Sequence, residues 1–233
     1  MNILAMDSSS QALSVALASE TGVWHTEIDA GTRHSELLME CVDGLCKMAN
    51  LCPGDLNMVS CMKGPGSFTG LRIGFSTAKG FALALGIPLV AIPTLDCLAY
   101  PFSTWPGIVL PVLDAKRDCF FAAFYREAKR LTDYLDASPE ALIREAIKAK
   151  LFPGEPIFLT GAGAQLLYSR LVSNNAADFI KHNGITMDPE FARGRAKDLL
   201  KMIKSGCLYV EDTIDSGPIY VRKSDAEENR ERK

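Results

Sequence analysis

The order strand, Asp, turn, strand, strand, helix, strand, glycine loop, helix occurs twice along this chain, and that repeat restricts its architecture more than any other feature. In the first pass, apolar residues over 2–6 lead to Asp7 and the turn Ser8-Ser9-Ser10, and apolar runs over 13–18 and 23–28 complete a three-stranded meander. Residues 33–50 have helical apolar spacing, Pro53-Gly54 breaks it, 58–62 reads as a strand, and Gly64 to Gly70 opens a helix ending near Gly86. A further strand covers 87–92. In the second pass 108–113 ends at Asp114, and Ala115-Lys116-Arg117-Asp118 turns the chain into a strand over 119–126, with a third over 131–135. Ser138 caps a helix that runs to about Lys150, with Pro139 in its first turn. A strand over 157–160 and Gly161-Ala162-Gly163 then lead into a helix over 165–172.

Two α/β halves of this kind, each with an Asp closing its first strand, form the two-lobed plan of actin, the sugar kinases and the Hsp70 ATPases, the ASKHA fold with its ribonuclease-H-like duplicated halves. In that plan the cleft between the halves binds nucleotide. Residues 1–102 would form the first lobe and 103–222 a second, smaller one, with a helix over 189–205 able to pack back on the first. The charged segment 223–233 is expected to be a disordered tail.

A net charge of -3 provides no overall positive field, which disfavours autonomous binding of nucleic acid and leaves room only for a local patch. The cysteines at 41, 46, 52, 61, 97, 119 and 207 form no Cys-x-x-Cys pair, and several sit in apolar runs, as reduced core thiols do in the cytosol. No run of eighteen apolar residues and no charged leader segment is visible, so the expected location is cytoplasmic, with no membrane partner.

Lys63 to Gly74 is the most specific segment. Its glycines permit positive φ and close backbone approach, and the following helix N-terminus presents free amides, so it could hold an anion. It lacks the Gly-Lys-Ser/Thr ending of a P-loop, and the same glycines could simply serve a tight strand-to-helix crossover. Asp7 and Asp114 could coordinate a nucleotide-bound magnesium, the basis of an alternative reading as an ATP-dependent small-molecule phosphotransferase. They could equally nucleate turns through their side chains. Ser8, Ser9, Ser10 and Ser67 lack the Gly-x-Ser-x-Gly context of a nucleophile elbow, and Cys41, Cys46 and Cys61 lie where a thiolate is disfavoured.

Gly64, Pro65, Gly66, Ser67, Phe68, Thr69, Gly70, Leu71, Arg72, Ile73 and Gly74 form one string that resembles the TsaB (YeaZ) family. So do the strand ending in Asp7-Ser8-Ser9, the segment Arg33-His34-Ser35-Glu36-Leu37-Leu38 and the closing Pro218-x-Tyr220-x-Arg222, and together they cover nearly the whole chain. The resemblance implies a paralogue of TsaD, the subunit that transfers a threonylcarbamoyl group to N6 of adenosine 37 in tRNAs reading codons that begin with A. It implies a subunit without catalytic residues, metal or other cofactor, paired with TsaD, or with itself when alone. The TsaE ATPase and tRNA would be met only through that complex.

TsaD holds a metal with a His-x-x-x-His pair, whose two side chains share one helical face. This chain has His25, His34 and His182, none four residues from another, and position 38 is Leu38. A metal-dependent hydrolase lacks its ligands here, and His34 reads as a capping or packing residue. On the helix over 33–50, Leu38, Val42, Leu45 and Ala49 form one apolar stripe and Leu37, Cys41, Gly44 and Met48 a second. Either both are buried within the lobe, or one faces a partner. The resemblance favours a partner interface drawn from Leu37, Leu38, Cys41, Gly44, Leu45 and Met48, with Gly44 allowing close approach.

Overall fold

Every residue of the first strand, β1 (Ile3–Asp7), is buried, because the strand runs through the middle of a sheet covered on both faces. The computed structural model describes residues 1–148, 154–173, 179–181, 184–206 and 216–222, so His182, Cys207 and the 223–233 tail lie outside it. β2 (Ala12–Ala18) and β3 (Val23–Asp29) complete the antiparallel meander, while β4 (Met58–Gly64) and β5 (Leu89–Pro93) run parallel to β1, in the order β3-β2-β1-β4-β5. On one face α1 (His34–Met48) and α2 (Phe68–Leu85) cover Leu4 and Met6 with Leu38, Val42, Leu45 and Phe75. α3 (Thr94–Ala99) then leads out of this lobe.

The second lobe repeats the plan. β6 (Ile108–Asp114), β7 (Phe120–Ala122), β8 (Tyr125–Arg126), β9 (Lys129–Arg130) and β10 (Leu135–Ala137) are followed by α4 (Pro139–Lys148), β11 (Ile157–Thr160), α5 (Ala164–Ser173) and β12 (Thr186–Met187). The order β10-β7-β6-β11-β12 reproduces the first sheet strand for strand. Ser138 Oγ accepts from Ala141 N at the start of α4 (3.3 Å), the cap its sequence predicts.

The strands expected over 119–126 and 131–135 are corrected. The chain breaks after Ala122 and forms a short β8–β9 hairpin, and the third strand of the meander is β10. The hairpin turn places Glu127 and Ala128 at φ of +49° and +61°, a conformation normally signalled by Asn or Gly, so its residues gave no warning. The last helix, α6 (Ala196–Lys204), also starts later than position 189. The preceding Gly194 lies against Ser14, and Arg195 N is bound to Asp7, so the chain is still crossing between the lobes there. α6 buries Ala196, Leu199, Leu200 and Met202 against Ile3, Ala5, Ala16 and Ala18 on the other face of the first sheet.

Candidate functional site

The loop after β4 is seated on the turn after β1. Ser67 N donates to Ser9 O (2.7 Å), and Ser8 Oγ donates to Gly70 O (2.8 Å). Ser67 Oγ caps α2 by accepting from Gly70 N (3.3 Å), so the helix start is served by its own serine. A Cβ on Gly70 would lie 2.0 Å from Ser8 O, while Gly66 faces Ser9 and Gly74 faces Ser8. Gly64 has φ of +103°, which glycine alone adopts freely. These glycines therefore allow two loops to touch. Gly64 and Pro65 are buried, and Phe68, Thr69 and Arg72 point outward. The second lobe echoes this seat, with Gly163 N donating to Val112 O (2.9 Å) beside Asp114.

Asp7 is buried, and both its oxygens are engaged. Oδ1 accepts from Ser9 N (2.9 Å) and Ser9 Oγ (2.6 Å), and Oδ2 accepts from Arg195 N (2.8 Å). Asp114 Oδ1 accepts from Lys116 N (2.7 Å), and its Oδ2 pairs with Lys116 Nζ (2.6 Å). Each carboxylate holds the turn that follows its own strand.

Sequence patterns gave no sign of Arg195, which links the lobes. Its guanidinium is buried, paired with Asp188 (2.5 Å) and Asp198 (3.5 Å), and Thr160 Oγ1 donates to the same Asp188 carboxylate (2.8 Å). A second tie joins α3 to the β8–β9 hairpin, where Asp96 Oδ1 accepts from Tyr125 (2.5 Å) and Tyr134 (3.1 Å). Burial, with the Asp96 charge, pushes the Tyr125 phenol far above its usual range.

Residues 216–222 form a strap across both lobes. Ile219 N donates to Lys63 O (2.6 Å), and Tyr220 OH accepts from Arg72 Nε (3.1 Å). Arg222 grips Asp136 with two donors (2.5 and 2.6 Å) and Ala115 O with a third (2.9 Å). The closing Pro218-x-Tyr220-x-Arg222 thus meets the glycine string on one side and the Asp114 turn on the other.

The expected partner face is narrower than its residue list. Leu38, Cys41 and Leu45 are packed in the core beneath α1, so they are corrected from interface to core. Burial also pushes the Cys41 and Cys46 thiols up, away from thiolate chemistry. Leu37 and Gly44 are half-buried and Met48 is 67% exposed, on the other stripe. His34 is buried and packs rather than caps, since α1 has no side-chain cap. Among the described residues no three His, Cys, Asp or Glu side chains gather where a metal ion could be held.

His25 on β3 lies 2.9 Å from Ser14 Oγ, a pair that resembles a base and nucleophile. Ser14 is 0% exposed beneath Gly194, and its Oγ accepts from Ala196 N (3.3 Å), so this serine is sealed inside the fold. Burial first, then the Lys197 and Arg193 charges, lower the His25 pKa below its ordinary 6.5. The unfolded chain therefore takes up this proton first, and stability present above about pH 6.5 is lost as pH falls below it. Urea midpoints measured at about pH 7.5 and about pH 5.5 should differ less in His25→Gln than in the parent.

Comparison with known proteins places this geometry. The family model described as "TsaD: tRNA N6-adenosine threonylcarbamoyltransferase" matches residues 18–163. The tRNA threonylcarbamoyladenosine biosynthesis protein TsaB of Bacillus subtilis is 30% identical over 71% of this chain and 73% of its own length. TsaB of Escherichia coli is 32% identical over 54% of this chain, an alignment that spans 56% of that protein. Among solved structures, YeaZ from Pseudomonas aeruginosa superposes with a TM-score of 0.72 at 23% identity, covering 94% of this chain and 99% of that one. A Bacteroides thetaiotaomicron protein with an actin-like ATPase fold follows with a TM-score of 0.52 at 10% identity, covering 86% and 95%, so the two lobes have that fold. The chain belongs to the TsaB (YeaZ) family, within the group of proteins that the TsaD model describes.

Proposed function

We propose that this chain acts in the biosynthesis of threonylcarbamoyladenosine in tRNA as a non-catalytic subunit, bound to a TsaD-type transferase through the outer side of α1 and α2. The TsaE ATPase and tRNA are met by that pair, and the isolated chain forms a homodimer through the same face.

One observation carries the interface. Past Arg72, the outward positions of α2 are Ser76, Gly80, Leu83 and Ala84, without a charge among them, whereas the solvent face of a surface helix is normally charged. Leu83 is 66% exposed, and a Cβ on Gly80 or on Gly44 of α1 would meet only open space. An exposed glycine inside a helix costs roughly 1 kcal/mol relative to alanine, and close crossing by a second helix offsets that cost. The engaged carboxylates of Asp7 and Asp114 support the non-catalytic role, because neither has an oxygen without a partner.

The test is a reconstituted modification assay with TsaC, TsaD, TsaE, ATP, threonine, bicarbonate and tRNA, with this chain added or withheld. Modification should require the chain, which alone should do nothing. Met48→Glu with Leu83→Glu should leave the fold within about 0.5 kcal/mol, since both sites are exposed. The same pair should weaken TsaD binding by about a hundredfold. Full co-purification of the double variant with TsaD would show the interface to be elsewhere.

A further inference from the structure

We infer that the outer surface of the strap, together with the turn at Lys116 and Arg117, is a contact surface for the single-stranded, loop region of the tRNA, an inference that rests on the function proposed above. Phe68 and Tyr220 are 40% and 43% exposed, with ring centroids 5.3 Å apart. The guanidinium of Arg72 lies 3.8 Å from the Phe68 ring centre and is bonded to Tyr220 OH, which fixes a flat cation beside two exposed rings. Aromatic rings and guanidinium planes are the surfaces on which unpaired bases stack.

The basic part is continuous with this platform. Two residues after Tyr220, the Arg222 side chain donates to the carbonyl of Ala115, which directly precedes Lys116, so the strap ties the rings to the turn. Lys116, Arg117 and Asp118 have φ of +61°, +54° and +55°, three consecutive left-handed residues without a glycine. Such backbone is held against its preference, and strain of this kind concentrates where side chains are presented to a ligand. Lys116 and Arg117 stand outward; Lys116 itself pairs with Asp114, while Asp118 pairs with Arg170 and Asp136 with Arg222. The four cations Lys116, Arg117, Arg170 and Arg222 outnumber these three carboxylates by one, a local positive excess, inside a chain whose net charge is -3, of the sign that phosphate contacts require.

The reconstituted assay, run with the full chain in complex with TsaD, measures the KM for tRNA. Tyr220→Ala and Arg72→Gln should each raise that KM about tenfold. The pair Lys116→Gln and Arg117→Gln, which leaves the strap contacts intact, should raise it and flatten its dependence on log salt by about one unit per cation removed. Binding to TsaD should be unchanged in all of them, and ultraviolet crosslinking should join tRNA to the strap in the parent only. An unchanged KM in both sets, or loss of TsaD or TsaE binding at unchanged KM, would overturn the RNA contact and make this a protein-docking face. If the parent chain itself adds nothing to modification, the function proposed above falls and the RNA contact falls with it. If the parent is needed and the variants equal it, only the RNA contact falls.

Discussion

Arg195→Met should cost about 3–5 kcal/mol of stability, a large part of the roughly 5–15 kcal/mol that holds a domain of ordinary size. The substitution leaves Asp188 and Asp198 in the interior without the cation that lies 2.5 and 3.5 Å from them. Asp198 retains Lys201 at 2.9 Å, so its loss is partial. Among the described residues Asp188 retains neutral donors, the Thr160 hydroxyl and Glu190 N, and it carries most of the cost. Adding Asp188→Leu should restore much of the stability, because the penalty arises from an unpaired charge and not from a missing bond. Urea unfolding of the single and double variants checks this. A single variant as stable as the parent would show that the buried guanidinium does not hold the lobes together.

Gly70→Ala should be comparably damaging, and here the reason is steric. The added methyl would lie 2.0 Å from Ser8 O and 3.2 Å from Ser67 Oγ, and neither the backbone carbonyl nor the capping serine can withdraw alone. Moving the Ser8 turn breaks Ser67 N to Ser9 O and disturbs the bonds that Ser9 makes to Asp7. Overpacking against flexible side chains costs about 1–3 kcal/mol, and a backbone obstacle should exceed the top of that range. Gly80→Ala, ten residues further along the same helix, is the control. It meets open space, so it should stabilise the isolated chain by roughly 1 kcal/mol while weakening TsaD binding. Thermal melts of both variants would show the opposite signs. Equal behaviour would mean that close approach is not what the Gly70 position requires.

What could be read in advance, and what could not, follows from the range of the interactions. The repeat, the meander, α1 and α2 were legible because each depends on period and on punctuation by Asp, Gly or Pro within a few residues. The β8–β9 hairpin was not, because Glu127 and Ala128 adopt a turn that their side chains do not favour. The glycine string was recognisable, but its contact with Ser8 and Ser9 spans some sixty positions and leaves no local mark. Nothing in its local sequence sets Arg195 apart from Arg193 or Lys197, and only tertiary packing makes it a buried ion pair. On α1 the two stripes were visible, whereas which of Leu38, Cys41 and Leu45 faced inward was decided by the sheet beneath.

The position of α6 also bears on how the chain is made. Ile3, Ala5, Ala16 and Ala18 are covered by a helix that begins at Ala196, and Asp7 receives Arg195 N across 188 positions. During synthesis the first sheet therefore leaves the ribosome with one greasy face bare. The second lobe, continuous from Ile108 to Met187, has all the strands of its own sheet before the first lobe is finished. At about 5–20 residues per second, the interval between β5 and α6 is on the order of 5–20 s, long enough for a chaperone to bind or for neighbouring nascent chains to stick together. The lobe translated first is the last to be sealed.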